Sequence, residues 1–442
     1  MSSHCHHLES GKLRRRAVDA RPSQQGAAAL IVVMVLFFVM AMVAAYTSRN
    51  LIFEQKTAIN QYRGTQAYEA AEAGLEWVLA ELNGGLIGGT CQPVAGAVGT
   101  SFLTRYLQID NKGEIKPILS AGGLPLTAGC VSNGSSWNCS CPTGGTPTPA
   151  ATAGNGVFPA FRSRFLALPG KPGLIQVEVN SCTRADNACL DFTPAGPVAQ
   201  AGEGASYAAV QLALKGAITT LPSAPVTVRS NLTIAAGTVI EAYNTDPAGN
   251  AVTVQTGGAS LPASGLVTVG PAGGMPGGIM VTSDASLGGS STPDSTFITV
   301  FGMARTVYRA QPGLRTCAGS CDGAAILAIG NNNPGRILRV AGNATIDSDL
   351  GSATDPVMLL VEGDVSLASG VTVYGFIYST GSAWDVSGTA NVVGGIFTEG
   401  SLAASGGGTL RVRYDSAVLN RVRAQVGSFV RLPGSWRDFT YP

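Results

Sequence analysis

The first strong pattern in the chain is an uninterrupted apolar segment near its start. Residues 27–46 read Ala-Ala-Ala-Leu-Ile-Val-Val-Met-Val-Leu-Phe-Phe-Val-Met-Ala-Met-Val-Ala-Ala-Tyr and contain no charged side chain. A helix of this length extends about 30 Å, the thickness of the hydrocarbon core of a bilayer. Basic residues cluster before the segment, so the positive-inside rule places the N-terminus in the cytoplasm and everything after Tyr46 outside it.

A helical period continues beyond this segment. Small and apolar residues recur at steps of three and four and form one stripe, made of Ala67, Ala71, Gly74, Leu75, Val78 and Leu82. Gly84 and Gly85 follow as a stop signal. The pattern predicts one helix from Ala27 to about Asn83, roughly 85 Å long. An ordinary amphipathic linker helix would show the same stripe.

The next part of the chain has the alternating pattern of half-buried strands. Three such segments are Phe161–Leu168, Leu174–Val179 and Tyr207–Lys215. They predict an antiparallel sheet within residues 85–220, laid on the helical stripe. The segment Cys130–Ala153 is rich in Gly, Thr, Pro, Ser and Asn, and it predicts a long exposed loop fastened by cysteines.

From Pro225 onward, short Val, Ile and Leu runs are cut by Gly, Ser and Asn. Glycines recur at nearly equal steps, at positions 342, 363, 381 and 400. A second motif, Val373-Tyr-Gly-Phe-Ile-Tyr, matches the later Val393-Gly-Gly-Ile-Phe-Thr at a similar step. A period of about 20 residues is typical of a parallel β-helix, or solenoid, in which each coil buries its apolar side on the next. An antiparallel β-sandwich is the alternative.

Composition and charge narrow the function classes. The 442 residues include 58 Gly and 24 Pro, and only 12% are charged, which favours strands and turns over helices. Lysine and arginine total 28 against 27 acidic residues, so the body offers no concentrated basic face, and nucleic acid is excluded as a main partner. The three histidines all precede residue 8. A body that loses this leader therefore has no histidine-based triad and no histidine-ligated zinc.

The cysteines indicate an oxidising compartment. Besides Cys5, the chain holds an even set of eight: Cys91, Cys130, Cys139, Cys141, Cys182, Cys189, Cys317 and Cys321. We expect local disulfides between Cys182 and Cys189 and between Cys317 and Cys321, where short polar segments separate the cysteines. The first four have irregular spacing for a zinc site and are further disulfide candidates.

Two parts of the N-terminal sequence carry a family resemblance. A polar, basic leader ends at Gln25-Gly26-Ala27, and the apolar run begins at once. Residues 67–75 read Ala-Tyr-Glu-Ala-Ala-Glu-Ala-Gly-Leu. Together these resemble the PilX N-terminal family of type IV minor pilins. The resemblance implies that prepilin peptidase cuts after Gly26 and methylates Ala27. A conventional secretory signal cut after residues 43–45 and a plain membrane anchor are the alternatives.

Ile31 departs from the pattern of the major pilins. It is the fifth residue counted from Ala27, where major pilins carry a glutamate thought to pair with the N-terminal amine of a neighbouring subunit. A filament-tip subunit has no subunit above it to contact, and the tip pseudopilin of type II secretion systems also lacks this glutamate. The resemblance therefore implies a place at the tip. Apolar packing of a minor subunit anywhere in the filament is the alternative.

These observations predict an α+β protein with five parts. We expect a prepilin leader at 1–26, a pilin helix at 27–84 that spans the membrane over 27–46, and a pilin-like head with disulfide loops at 85–220. A β-solenoid domain follows at 221–425 and a C-terminal tail at 426–442. The resemblance places the protein in the bacterial inner membrane with a periplasmic body, and then in the pilus.

The predicted function is that of a non-enzymatic minor pilin that primes or caps type IV pilus assembly. Its expected partners are prepilin peptidase, other minor pilins, the major pilin and the inner membrane, with a large PilY-type tip adhesin as a further candidate. No cofactor, metal or catalytic residue is expected. The acidic cluster Asp347, Asp349 and Asp355 lacks an EF-hand pattern and is typical of a solvated turn, with calcium binding through its carboxylates as the alternative. A tip-displayed adhesin and a membrane-anchored, polysaccharide-active β-helix enzyme are the alternatives.

Overall fold

The computed structural model describes residues 25–95, 99–150, 157–192, 197, 203–259, 261–271, 278–287 and 292–439. The chain forms two units, residues 1–61 and 62–442. Residues 1–24 of the predicted leader, with the three histidines and Cys5, lie outside the described residues.

A long helix precedes a β-rich body, which confirms the predicted fold class. The elements up to residue 216 are α1 (Gln25–Leu82), β1 (Leu86–Ile87), β2 (Thr100–Ser101), α2 (Phe102–Tyr106), β3 (Leu107–Ile109), β4 (Ile115–Pro117), β5 (Ala128–Ser132), β6 (Trp137–Ser140), β7 (Ala160–Ala167), β8 (Leu174–Cys182), α3 (Asn187–Leu190) and β9 (Ala205–Gly216). The later elements are β10 (Val226–Val228), β11 (Leu232–Ile234), β12 (Val239–Tyr243), β13 (Val252–Thr256), β14 (Leu266–Val269), β15 (Ile279–Val281), α4 (Pro293–Phe301), α5 (Arg305–Arg309), β16 (Leu314–Cys317), α6 (Gly323–Asn332), β17 (Ile337–Val340), β18 (Ala344–Ile346), β19 (Val357–Val361), β20 (Val365–Leu367), β21 (Thr372–Ser379), β22 (Ala383–Val386), β23 (Thr389–Thr398), β24 (Leu402–Ser405), β25 (Thr409–Arg413), α7 (Ser416–Gln425) and β26 (Gly427–Arg431).

The first unit contains the N-terminal part of α1. Every side chain described between residues 28 and 61 is exposed. The most apolar window of the helix has a mean hydropathy of 3.0 and none of it is buried. By length and composition, α1 can cross a membrane.

The second unit contains an antiparallel sheet against which the rest of α1 packs. Its six strands have the order β26-β9-β8-β7-β5-β6, and every neighbouring pair is antiparallel. The helical stripe shares one apolar core with Phe161, Val179 and Phe429 of this sheet. The predicted sheet on the stripe is therefore present, and β7, β8 and β9 lie where the alternating pattern predicted strands.

The sequence predicted a long exposed loop over Cys130–Ala153, and this is wrong for the start of the segment; residues 151–153 lie outside the described residues. Its first part forms a hairpin in which β5 pairs with β6 and Cys130 lies opposite Cys139. Cys130 is fully buried, and so is Cys141 just beyond the hairpin. The sequence did not predict β5 and β6 because they contain glycine and serine, which have a low strand propensity.

The strands from β10 to β25 form two parallel sheets, which we call the parallel-strand domain (residues 226–413). The larger sheet contains the path β14-β12-β25-β23-β21-β19-β17-β16, with β10, β13 and β15 attached, and the smaller has the order β11-β24-β22-β20-β18. Every pairing between described strands of this domain is parallel. The alternative considered from the sequence, an antiparallel β-sandwich, does not match this parallel pairing.

The glycine repeat of the sequence coincides with the register of these strands. Val340 pairs with Val361, Val361 with Ser379, and Ser379 with Thr398. Each glycine of the repeat lies two positions after one of these residues, so the register reproduces its spacing. The second motif was misaligned by one residue, because Val373 pairs with Val392 and not with Val393. A slip of one residue would turn every side chain to the opposite face.

The strands do not stack in their order along the chain. The first three strands of the domain pair with its last three strands: β10 pairs with β23, β11 with β24 and β12 with β25. This register sets Val226 beside Ile396 and Leu232 beside Leu402, all of them buried. The apolar columns therefore continue across a junction between strands that lie far apart in the chain.

Both faces of the central strands of the larger sheet are buried. Leu359 and Ile377 point into the core shared by the two sheets, whereas Phe376 and Tyr378 pack against α4, α5 and α7. This explains the continuous apolar run of β19, since a strand covered on both sides has no polar alternation.

The sequence predicted a C-terminal tail from residue 426 onward, and this is wrong for the first residues of that segment. Helix α7 ends at Gln425, and β26 then pairs antiparallel with β9 at the edge of the antiparallel sheet. Phe429 of β26 is fully buried in the core beneath α1. Strand β26 has only five residues. Its alternation of apolar and polar residues is too short to be recognised in the sequence beside the charged residues that follow it.

Candidate functional site on the long helix

The predicted processing site lies at the start of α1. Only the backbone of Gly26 and Ala27 is described, and it is helical. Ile31, the fifth residue after the predicted cleavage site, has 62% of its surface exposed. Its apolar neighbours along the helix are similarly exposed, and Phe37 reaches 73%. The N-terminal part of α1 thus presents apolar surface that no described residue of this chain covers.

The helical stripe predicted from the sequence is the buried face of α1. All six of its residues are buried, namely Ala67, Ala71, Gly74, Leu75, Val78 and Leu82. Gly74 is the point of closest approach to the sheet: a Cβ placed on it would lie 2.8 Å from Val179 Cγ1 and 2.9 Å from Phe161 Cδ2. Small residues on this face therefore permit the contact between helix and sheet.

A polar clamp that the sequence did not reveal holds the C-terminal end of α1. The Asn83 side chain bonds to the backbone of Phe429 in β26, with its Nδ2 donating to the carbonyl oxygen (2.9 Å) and its Oδ1 accepting from the N–H (2.9 Å). Asn83 thus acts as an extra strand residue at the sheet edge and satisfies two buried backbone groups.

Two arginines of the parallel-strand domain complete this clamp. Arg315 donates to the carbonyl oxygen of Asn83, and Arg336 donates to those of Leu82 and Gly84, the latter at 3.3 Å. These carbonyls lie where a helix has unpaired acceptors and a negative dipole end. Burial lowers the pKa of Arg336 to about 9, with a contribution from Arg315, so its guanidinium is still protonated at neutral pH.

Four disulfides join the eight cysteines beyond the leader. They pair Cys91 with Cys141, Cys130 with Cys139, Cys182 with Cys189, and Cys317 with Cys321. The last two are the pairs expected from the sequence, and the first two were left open there. These bridges are consistent with an oxidising compartment.

The acidic cluster does not come together as a metal site. The Asp349 Oδ1 accepts from the Thr372 N–H (2.7 Å) and so links the connection between β18 and β19 to the start of β21. Residue Asp355 is exposed, and partial desolvation of its carboxyl by neighbouring protein atoms raises its pKa. Within the described ranges, no group of three or more His, Cys, Asp or Glu side chains is arranged to hold a metal ion.

Comparison with known proteins points to the same segment. The sequence model of the PilX N-terminal family matches residues 25–76, which cover the exposed part of α1 and much of the buried stripe. No curated protein matches the chain. The crystal structure of the competence-associated pilin ComZ from Thermus thermophilus aligns over 85% of this chain and 98% of its own, at 10% identity and a TM-score of 0.20. That score is too low to support an argument, whereas the family match shows that residues 25–76 are similar to the PilX N-terminal family.

Proposed function

We propose that this protein is a non-enzymatic minor pilin that primes or caps type IV pilus assembly at or near the filament tip. The observation that carries the proposal is Ile31, an exposed apolar residue where major pilins have a glutamate. In major pilins that glutamate is thought to form an ion pair with the N-terminal amine of an adjacent subunit. A subunit with no subunit above it does not need the carboxylate, which would be costly in lipid without its partner.

Maturation and location follow from the same helix. Prepilin peptidase cleaves between Gly26 and Ala27 and methylates the new N-terminus. Residues 27–46, whose side chains are uncharged, then anchor the protein in the inner membrane, with the disulfide-bonded body in the periplasm until assembly carries it into the pilus. The exposed apolar surface of the helix supports this, since a bilayer or the helices of other pilins would cover it.

In this proposal the parallel-strand domain is a β-helix carried by the pilin helix. Parallel pairing at a nearly constant step along the chain supports this interpretation. The assembly partners are other minor pilins, the major pilin and a large PilY-type tip adhesin. A cavity in this domain is lined by charged side chains, among them Arg305, Arg309 and Glu362. It favours a second candidate function, in which the helix carries a binding module to the filament tip.

A deletion experiment tests the priming role. Priming sets how many filaments start, while elongation sets how long each becomes. Deleting the gene should therefore reduce the number of surface filaments several-fold and leave the length of the remaining ones unchanged, as counted by electron microscopy. The wild-type gene should restore the number, and Gly26→Val should not, because its leader stays uncut. Unchanged filament number in the deletion strain would contradict priming.

A further inference from the structure

A groove of about 370 Å³ crosses the outer face of the larger sheet in the parallel-strand domain. It runs over four neighbouring strands, β12, β25, β23 and β21, and we call it the outer groove. Along these strands, alternate residues are buried in the core shared by the two sheets: Ala242, Val412, Val392 and Val373. The residues next to them therefore face outward, because successive side chains of a strand point to opposite faces.

The strand register lines up the outward residues in two rows across the outer groove. The first row is Glu241, Arg411, Asn391 and Thr372, and the second is Tyr243, Arg413, Val393 and Tyr374. Neighbouring strands lie about 4.8 Å apart, so the backbones of Tyr243 and Tyr374 are roughly 14 Å apart. The second row thus has a tyrosine at each end, with Arg413 and Val393 between them.

The two arginines of the outer groove differ in whether their charge is balanced. Glu241 Oε2 accepts from Arg411 Nε (2.5 Å) and from the Tyr243 hydroxyl (3.0 Å), so it balances Arg411 and holds the Tyr243 ring along its strand. Arg413 is exposed and makes no hydrogen bond or ion pair with a described residue. Asp349, at the border of the groove, bonds to the backbone of β21, two strands away from Arg413. Arg413 is therefore open to an anionic ligand.

Two polar side chains beside Arg413 are also open to a ligand. Asn391 and Tyr374 are half-buried, and neither side chain has a hydrogen-bond partner in the described ranges. The Asn391 amide and the Tyr374 hydroxyl can each donate and accept. Strands β23 and β25 are paired on both sides, so a peptide cannot join this part of the sheet as a further strand. Recognition in the outer groove must therefore use side chains.

We propose that the outer groove binds a short acidic glycan, laid across the strands with sugar rings against Tyr243 and Tyr374 and a carboxylate on Arg413. A sugar ring has apolar C–H faces and a rim of hydroxyls, which suits aromatic rings placed among hydrogen-bonding side chains. A guanidinium binds a carboxylate through two parallel hydrogen bonds, so Arg413 favours an acidic sugar over a neutral one. A single-stranded nucleic acid would need a row of free cations along its backbone. A phosphate ion would leave most of the groove unfilled.

Calorimetric titration of the full-length protein tests this assignment, in a detergent without a sugar headgroup so that the detergent cannot compete. A galacturonate trisaccharide should bind, and the matching neutral galactose trisaccharide should bind about tenfold more weakly because it cannot pair with Arg413. Arg413→Gln should weaken galacturonate binding about tenfold and leave binding of the neutral sugar unchanged. This variant should fold, because Arg413 is exposed and bonds to no described residue. Arg184→Gln, at an exposed arginine of the head, should bind like the wild type.

A second variant separates the ring contact from the charge contact. Tyr374→Ala should weaken binding of both trisaccharides about tenfold, because it removes an aromatic face on which a sugar ring rests. Tyr62→Ala, at a tyrosine of α1 that is 61% exposed, is the matched control and should bind like the wild type.

Three results would overturn the assignment. These are no binding of the galacturonate trisaccharide, equally tight binding of the neutral trisaccharide or of a triglutamate peptide, and unchanged galacturonate binding in Arg413→Gln or Tyr374→Ala. The inference does not rest on the priming role, and each can fail without the other. Arg413→Gln should leave filament number unchanged, so a loss of sugar binding with normal filaments would locate the defect in the outer groove alone.

Discussion

Two glycines of α1 have opposite surroundings, although both lie on the same helix. A Cβ on Gly74 would meet Val179 and Phe161 at less than 3 Å, whereas a Cβ on Gly64 would have no atom within 4 Å. Glycine costs a helix about 1 kcal/mol relative to alanine, while overpacking a core costs about 1 to 3 kcal/mol. Packing therefore decides the effect at Gly74, and helix propensity decides it at Gly64.

We predict that Gly74→Ala destabilises the protein by about 1 to 2 kcal/mol, since the packing cost exceeds the gain in helix propensity. Gly64→Ala, the matched control, should be neutral or stabilising by up to about 1 kcal/mol. Denaturant unfolding of the full-length protein in detergent measures both. Equal shifts in the two variants would mean that Gly74 is not at the point of closest approach.

Glu81 predicts a pH dependence at the end of the same helix. Burial raises its pKa from the usual 4.5 to about 7. The folded state therefore holds the proton more tightly than the unfolded state, and this stabilisation is complete below about pH 4.5 and lost as pH rises through 7. Glu81→Gln cannot ionise, so we expect it to be more stable than the wild type at pH 8 by about 1 to 2 kcal/mol, after allowance for partial exposure.

The measurement compares the two proteins at pH 8 and pH 5 by thermal unfolding. The advantage of Glu81→Gln should shrink markedly at pH 5. Glu69→Gln, at an exposed carboxylate of α1, controls for the loss of a charge alone. An advantage of the same size at both pH values would contradict the expected titration of Glu81.

At the scale of elements, the end of α1 is held by groups distant in the sequence. Arg336 is almost completely buried and donates to backbone carbonyls at the helix end, and it has no ion pair with a described acidic residue. The helix end and its partial negative charge take the place of a carboxylate. We therefore expect this contact to couple the stability of the helix to that of the parallel-strand domain.

Arg336→Met keeps much of the side-chain volume but leaves the carbonyls of Leu82 and Gly84 without their donor. We expect a loss of about 2 to 4 kcal/mol, since buried acceptors then stay unsatisfied. Limited proteolysis and denaturant unfolding of the full-length protein measure the change, with Arg184→Met as the matched exposed arginine. An unchanged unfolding midpoint for Arg336→Met would show that the clamp does not stabilise the helix end.

The sequence predicted the elements better than their arrangement. The stripe from Ala67 to Leu82 was recognisable because a helix face repeats every three or four residues. The glycine steps after residue 340 were recognisable because parallel strands repeat a register. The pairing of β10 with β23 could not be predicted in this way, since nothing in the sequences of two apolar strands far apart in the chain indicates that they are neighbours in a sheet. For the same reason the contacts of Asn83 and Arg336 were not predictable.

At the scale of the whole molecule, a substitution at Ile31 tests the proposed tip placement against an internal one. Ile31→Glu introduces a carboxyl that, at the tip, would find no amine partner. On insertion scales a charge at the bilayer centre costs about 3 kcal/mol, and less near a helix end. We therefore expect incorporation into sheared pili, measured relative to the major subunit, to fall or stay unchanged. Ile31→Gln controls for polarity without charge. A several-fold rise in Ile31→Glu along the shaft would indicate an internal subunit.

The central claim, placement at the filament tip, is tested most directly by locating the protein on single filaments. An epitope in the segment 143–146, an exposed bend in the described part of the head, would be labelled with gold on sheared pili and viewed by electron microscopy. The account predicts that label lies at one end of each labelled filament, and that a strain lacking the protein shows none. Label distributed along the shaft would contradict it.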